Sequence, residues 1–163
     1  MKRILLIMNL FLIAQFVLAQ SYKVGDEAMA FNLKNVDGKM VSSGSFNNAK
    51  GFIVVFTCNE CPYAKAYLDR IISLDKKYKD KGFPVVAINP NDPDVQPADS
   101  YDKMVKKARD KNISFPYLFD PGRTVSAAYG ATNTPHIYLL SSTNNKLTVE
   151  YIGAIDDNSE DAS

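Results

Sequence analysis

Two cysteines, Cys58 and Cys61, stand two residues apart in the stretch FTCNECPY and are the only cysteines of the chain. Thiols at this spacing can bind a metal, close a structural disulfide, or cycle between dithiol and disulfide. A structural zinc site needs four ligands, and His136 is the single histidine that could join the thiolates. A disulfide across so short a loop gains little entropy from closure. Redox cycling is therefore the interpretation that we favour.

Pro62 indicates which sulfur attacks. Proline favours the first helical position and disfavours helical dihedrals in the residue before it, so Cys61 is predicted to be the N-cap of a helix. The positive end of a helix favours a thiolate, which makes Cys61 the expected nucleophile and Cys58 its resolving partner. Glu60 would oppose a second negative charge and Lys65 could offset it, although a solvated side chain is the favoured interpretation of Glu60.

The segments around the cysteines predict a strand, a helix and a second strand. Residues 51–56 form a wholly apolar run, as expected of a strand that is buried on both faces. Apolar residues at three- and four-residue spacing from Tyr63 to Tyr78 predict one helix that begins at Pro62, and a stop signal at residues 79–82 follows it. Residues 83–88 predict the second buried strand, so the unit is a βαβ crossover in a parallel sheet.

The flanking segments complete a single α/β domain without repeats. Residues 22–46 predict a β-hairpin, because Asp37-Gly38 is a strong two-residue turn signal. Asp99 is expected to cap the helix that follows it. The remaining predicted elements are a helix over 100–111, a strand over 115–119, a short helix over 122–129 and a terminal hairpin with strands 137–140 and 147–152.

The N-terminal residues predict export. Lys2 and Arg3 precede the apolar run Ile4–Phe16, and short side chains follow at residues 17–19. We expect a signal peptide over residues 1–19 and a soluble periplasmic or secreted protein after cleavage. A membrane anchor is the alternative, but the apolar run is short for a bilayer span.

The net charge and the length of the remaining chain limit its possible partners and its domain organisation. The full chain carries 19 basic and 18 acidic residues, and cleavage removes two basic and no acidic ones, which changes the net charge from +1 to −1. This balance argues against nucleic acid or an anionic membrane as a partner. Residues 20–158 are long enough for one domain with its own core, and residues 159–163 are expected to be an acidic tail without regular structure.

Several short motifs follow one another along the chain. They are Val24-Gly25-Asp26, Phe31-Asn32-Leu33, Val36-Asp37-Gly38-Lys39, FTCNECPY, Tyr129-Gly130-Ala131, Thr134-Pro135 and Gly153-Ala154-Ile155-Asp156-Asp157. Together they resemble the peroxiredoxin-like redoxin proteins of the alkyl hydroperoxide reductase and thiol-specific antioxidant superfamily. The resemblance covers about residues 22–158 and implies a thioredoxin-like fold with an N-terminal β-hairpin extension.

The resemblance also implies which residues form the site. Thr134 and Pro135 should be joined by a cis peptide bond that faces Cys58 and Cys61, so these four residues are the expected catalytic set. Counted from the preceding strand, the first cysteine of thioredoxin aligns with Cys61, in agreement with the argument from proline. The expected partner is a protein dithiol or disulfide, with a hydroperoxide as the alternative, and no cofactor is expected.

The chain departs from the family pattern at several positions. Glu60 stands where relatives often carry histidine, and Asn133 stands where some carry a third cysteine. Typical peroxiredoxins place an arginine near the position of Thr134, whereas Arg123 lies in the preceding predicted helix. Without that cation, peroxide activation should be weak. The final helix of relatives is also expected to be missing.

The favoured function is therefore an exported thiol–disulfide oxidoreductase with Cys58 and Cys61 as its redox pair, working as oxidant or as reductant. A thiol peroxidase that uses the same two cysteines is the first alternative. The second is Cu(I) binding by the two thiolates and His136.

Overall fold

The computed structural model describes residues 21–144 and 146–158. The predicted signal peptide and the predicted acidic tail lie outside these residues. None of the helices in the described part is both long and apolar enough to cross a bilayer.

A mixed β-sheet forms the centre of the domain. Its strands are β1 (Glu27–Ala28), β2 (Asn32–Asn35), β3 (Met40–Ser42), β4 (Gly51–Phe56), β5 (Val85–Asn89), β6 (Tyr117–Phe119), β7 (His136–Thr143) and β8 (Lys146–Gly153). They are arranged in the order β1-β8-β7-β4-β5-β6-β2-β3. β5 runs parallel to β4 and β6, and the other neighbouring pairs are antiparallel.

Helices cover both faces of the sheet. They are α1 (Pro62–Ala66), α2 (Leu68–Tyr78), α3 (Tyr101–Asp110) and α4 (Thr124–Tyr129), with 3₁₀ turns at Ser43–Ser45, Lys79–Lys81 and Pro97–Asp99. Ile71 of α2 and Met104 of α3 pack on one face of the sheet. Val125 and Tyr129 of α4 pack with the N-terminal segment on the other face. Every residue of β4 and β5 is consequently buried, as predicted for both strands.

The prediction of one helix from Pro62 to Tyr78 is wrong in one respect, because the structure divides it at Tyr67. The backbone of Tyr67 has φ −86° and ψ −8°, which separates α1 from α2. Its phenol donates a hydrogen bond of 2.7 Å to the carboxylate of Asp156, far along the chain. The break therefore accompanies a tertiary contact that local periodicity does not report. The predicted stop is present, since Gly82 ends the segment with φ +93°.

The two predicted hairpins are present. β2 and β3 are antiparallel, and the turn between them contains Gly38 with φ +86°. β7 and β8 form the terminal hairpin, with an irregularity between Leu139 and Leu140. Within the described residues no helix follows β8, and an apolar groove lined by Leu74, Leu139 and Ile155 among others lies on this side.

Candidate active site

The two cysteines lie in the turn that joins the buried strand β4 to α1. Cys61 is the N-cap of α1 and Pro62 is its first residue, as the position of the proline predicted. Cys58 is 4% exposed, whereas Cys61 is partly exposed. Both are free thiols. Of the two sulfurs, that of Cys61 is therefore the one that a partner can reach.

The loop before β7 brings Thr134 and Pro135 to the cysteines. His136, the first residue of β7, is paired with Phe56 at the end of β4, so the loop and the cysteine turn leave the sheet side by side. The Thr134–Pro135 bond is cis, as the resemblance implied. The sulfur of Cys58 lies 3.7 Å from the hydroxyl oxygen of Thr134, and that of Cys61 lies 3.7 Å from its carbonyl oxygen. The structure thus brings the four predicted site residues together.

The two thiols differ in acidity. Burial raises the pKa of Cys58 above its ordinary value, although the hydroxyl of Thr134 acts in the opposite direction. Partial burial also disfavours the Cys61 thiolate. The thiolate accepts hydrogen bonds from the Thr134 side chain and from the backbone N–H groups of Ala64 and Tyr63. Their effect is larger than that of burial, so the pKa of Cys61 lies below its ordinary value. The exposed sulfur is thus also the more acidic one.

Asp99 holds the cysteine turn and does not cap α3, so the predicted role of this residue is wrong. Ser100 is the N-cap of α3, and no side-chain hydrogen bond caps it. The carboxylate of Asp99 is buried and accepts a hydrogen bond of 2.5 Å from the backbone N–H of Asn59. It also accepts hydrogen bonds from the side-chain amides of Asn89, at 3.1 Å, and Asn91, at 2.7 Å. These partners turn the carboxylate toward the cysteines and away from the helix.

Lys107 is a cation at the site that the sequence analysis missed. Its Nζ donates hydrogen bonds to the backbone carbonyl oxygens of Cys58, at 3.0 Å, and Asn59, at 2.9 Å. Burial lowers the pKa of Lys107, while the nearby Cys58 and Asp99 act to raise it. No local signal marks this lysine, because it is one of several on the polar side of α3.

The side chain of Asn59 completes the attachment of the turn. Its amide nitrogen donates to the carbonyl of Ala98 at 2.9 Å, and its amide oxygen accepts from the phenol of Tyr117 at 2.8 Å. Asn59 is 3% exposed. A buried polar side chain is stable when its hydrogen-bonding groups are satisfied in this way. The backbone and side chain of one residue therefore bind the turn to α3, to the loop before α3 and to β6.

Glu60 and Lys65 form an ion pair on the exposed side of the turn. The hydrogen bond and the charge of Lys65 lower the pKa of Glu60, and Lys107 and Lys103 add to the effect. Glu60 is thus a solvated side chain, as favoured above, and its charge is partly neutralised by Lys65.

His136 does not join the thiols in a metal site. Within residues 21–144 and 146–158, no three histidine, cysteine or acidic side chains are grouped so that they could hold a metal ion. Burial lowers the pKa of His136, and its Nδ1 has no hydrogen-bond partner among the described residues. The arrangement therefore gives no support to the Cu(I) alternative.

Comparison with known proteins agrees with this geometry. The chain is 25% identical over 119 residues to the thiol-disulfide oxidoreductase ResA of Halalkalibacterium halodurans, an alignment that covers 73% of this chain and 63% of that protein. The chain thus spans less than two thirds of the length of this relative.

Solved structures show the same architecture. An uncharacterized conserved protein of Geobacillus kaustophilus superimposes with a TM-score of 0.77 and 35% identity, over 83% of this chain and 71% of that one. A putative thioredoxin of Neisseria meningitidis superimposes with a TM-score of 0.62 and 25% identity, over 79% of this chain and 81% of that one. These matches confirm the predicted thioredoxin-like fold. The model of the AhpC/TSA family matches residues 24–153, and the chain therefore belongs to the AhpC/TSA family.

Proposed function

We propose that the protein is an exported thiol–disulfide oxidoreductase whose redox pair is Cys58 and Cys61. The observation that carries the proposal is the unequal pair of thiols beside Thr134. Cys61 is accessible and has a lowered pKa, while Cys58 is buried and has a raised pKa. The name of the relative in Halalkalibacterium halodurans, thiol-disulfide oxidoreductase, supports the same reaction.

The reaction begins at Cys61. Its thiolate attacks one sulfur of a partner disulfide, so that a new S–S bond forms between Cys61 and the partner and the second partner sulfur leaves as a thiolate. Cys58 then loses its proton and attacks the sulfur of Cys61, which releases the first partner sulfur. The Cys58–Cys61 pair is oxidised by two electrons and the partner disulfide is reduced to a dithiol. Read in reverse, the same steps oxidise a partner dithiol.

The raised pKa of Cys58 keeps this thiol out of the first step. A protonated Cys58 does not compete for the partner in the first encounter, since the thiolate is the attacking form. Once Cys61 is bound in a mixed disulfide, the negative charge of its thiolate no longer opposes ionisation of Cys58. Lys107, which holds the carbonyl groups of the turn, adds positive charge near the sulfur of Cys58.

Turnover on two substrates tests the reaction class. The reduced protein should reduce the disulfides of insulin when a chemical dithiol regenerates it, and a variant with both cysteines changed to serine should be inactive. The same preparation should consume hydrogen peroxide slowly. Rapid formation of sulfenic acid on Cys61, with peroxide turnover that exceeds insulin reduction, would instead assign the protein as a thiol peroxidase.

A further inference from the structure

Lysines line one side of α3 next to the cysteine turn. Lys103, Lys106, Lys107 and Lys111 recur at three- and four-residue spacing, which places them along the same side of the helix. They form one wall of a cavity of about 480 Å³. The start of the helical segment after Cys61 forms the opposite wall, and Asn59 and Glu60 of the cysteine turn also line it. The cavity therefore borders the cysteine turn through the two residues that separate Cys58 from Cys61.

Three acidic side chains line the same cavity, against five lysines. Two of the acids are already engaged, since Glu60 pairs with Lys65 and Asp110 pairs with Lys106. Asp69 is the third. The walls consequently carry an excess of positive charge, although the chain as a whole is near neutral. This excess is a local property of the surface beside the cysteines.

Among the described residues, Lys103 and Lys111 are the lysines of this cavity that are exposed and whose charge no acidic side chain neutralises. Both are exposed, and within the described residues neither takes part in an ion pair or a side-chain hydrogen bond. The positive charge of Lys103 and Lys107 reaches the cysteine turn, where it lowers the pKa of Glu60. A carboxylate that approaches the pair would be attracted by the same charges.

We infer that this cavity docks an acidic polypeptide segment adjacent to the disulfide or dithiol of the partner protein. The inference rests on the proposed function and specifies its substrate. Lys103 and Lys111 lie eight residues apart, which is about 12 Å along a helix axis. An extended peptide spans this distance in about four residues. The geometry thus fits carboxylates spaced along a chain better than it fits one small anion.

Three synthetic peptides test the inference. Each contains the same small ring closed by one disulfide, followed by a tail of four aspartates, four serines or four lysines. The second-order rate constant for oxidation of the reduced protein is measured for each peptide. At about 20 mM ionic strength we expect the acidic peptide to react about tenfold faster than the serine peptide. The ratio should approach one at about 0.5 M salt, because salt screens exposed charges.

Two matched charge reversals locate the effect. In the double variant Lys103→Glu/Lys111→Glu the ratio of acidic to serine peptide should fall to about one or below. The control is Lys76→Glu/Lys79→Glu, which changes the net charge by the same amount. Each double variant alters one lysine within a helix and one at the C-cap of that helix, α2 for the control and α3 for the test. It should keep the preference for the acidic peptide. Thermal unfolding of both variants checks that each is folded.

The outcomes separate this inference from the proposed function. Equal rates for the acidic and serine peptides with the wild-type protein would overturn the inference and leave the oxidoreductase activity in place. The same loss of preference in both double variants would also overturn it, since the effect would then follow net charge. Failure to react with any of the three peptides would overturn the proposed function, and the docking inference with it.

Discussion

At the scale of single residues, the fold makes two identical thiols chemically different. Cys61 stands at the first turn of α1, where backbone N–H groups and the side chain of Thr134 stabilise its thiolate. Cys58 stands three residues earlier, just after the fully buried strand β4, where burial opposes ionisation. The order of attack in the proposed reaction follows from this difference.

Alkylation should reveal the difference. Between pH 6 and 9 Cys61 should react faster than Cys58 with a small alkylating agent, because it is more exposed and its pKa is lower. Below the pKa of Cys61 its rate should fall about tenfold for each unit of pH, in proportion to the thiolate fraction. Mass spectrometry of modified peptides measures both rates. Faster modification of Cys58 would show that the argument from Pro62 selects the wrong sulfur.

Single-cysteine variants should trap different amounts of partner. Cys58→Ser keeps the attacking thiolate and loses the sulfur that resolves the mixed disulfide, so it should accumulate a stable adduct with a disulfide substrate. Cys61→Ser keeps only the buried thiol of raised pKa and should trap little at neutral pH. Non-reducing gel electrophoresis measures the adduct. Equal trapping by the two variants would contradict the assigned order of attack.

Lys107 should affect both stability and the second step of the reaction. Lys107→Met leaves the carbonyl groups of Cys58 and Asn59 without their donor, at a cost of about 1–3 kcal/mol in the free energy of unfolding. Loss of this charge should raise the pKa of Cys58 further, so resolution of the mixed disulfide should require a higher pH. Lys106→Met is the control, since Lys106 is exposed and its ion-pair partner within the described residues is Asp110. Denaturant unfolding and the pH dependence of partner release should distinguish the two variants.

At the scale of elements, hydrogen bonds to neighbouring elements hold the cysteine turn in place. Asn59 is attached by its backbone N–H to Asp99, by its carbonyl to Lys107 and by its side chain to Tyr117. The first two of these partners belong to the 3₁₀ turn before α3 and to α3 itself. A turn held on three sides keeps its sulfurs at a constant distance from Thr134, which is the pre-organisation that a reactive site needs.

Asp99→Asn should loosen this attachment. The amide cannot accept hydrogen bonds with both of its polar atoms, so at least one of the donors of Asn59, Asn89 and Asn91 loses its acceptor. We expect a loss of about 2–3 kcal/mol in the free energy of unfolding by urea. Asp102→Asn, an exposed position in the first turn of α3, should change it by less than about 0.5 kcal/mol. Identical unfolding of the Asp99 variant and the wild type would contradict the proposed anchoring.

These elements also show what the sequence can and cannot predict. Strand β4 and the N-cap at Cys61 were predicted because their signals are local, an apolar run and an adjacent proline. The roles of Asp99 and Lys107 could not be predicted from the sequence, because their partners in the cysteine turn lie 40 and 49 positions away along the chain. Both also have ordinary local interpretations, a helix cap and a solvated lysine. The helix break at Tyr67 escaped detection for the same reason, since its partner Asp156 is 89 positions away.

At the scale of the whole molecule, the first twenty residues carry a separate prediction. The charged start, the apolar run and the short side chains before Gln20 are typical of a signal peptide. When the full chain is expressed with its own N-terminus in a bacterium, N-terminal sequencing of the exported protein should begin at Gln20. Intact protein that begins at Met1 and is recovered from the membrane fraction would instead support an anchor.

The arrangement of the strands has a consequence for folding. β1 pairs with β8, so Glu27 lies opposite Thr148, and the first strand of the described chain forms the edge of the sheet beside the last strand. During synthesis that edge cannot be completed until residue 148 has emerged from the ribosome. Strand pairings between residues this far apart in sequence slow folding, because the chain loses the entropy of closing a long loop before it gains stabilising contacts. An unfinished chain without β8 therefore leaves the edge of β7 unpaired, and this side of the sheet is complete only when nearly the whole domain has been made.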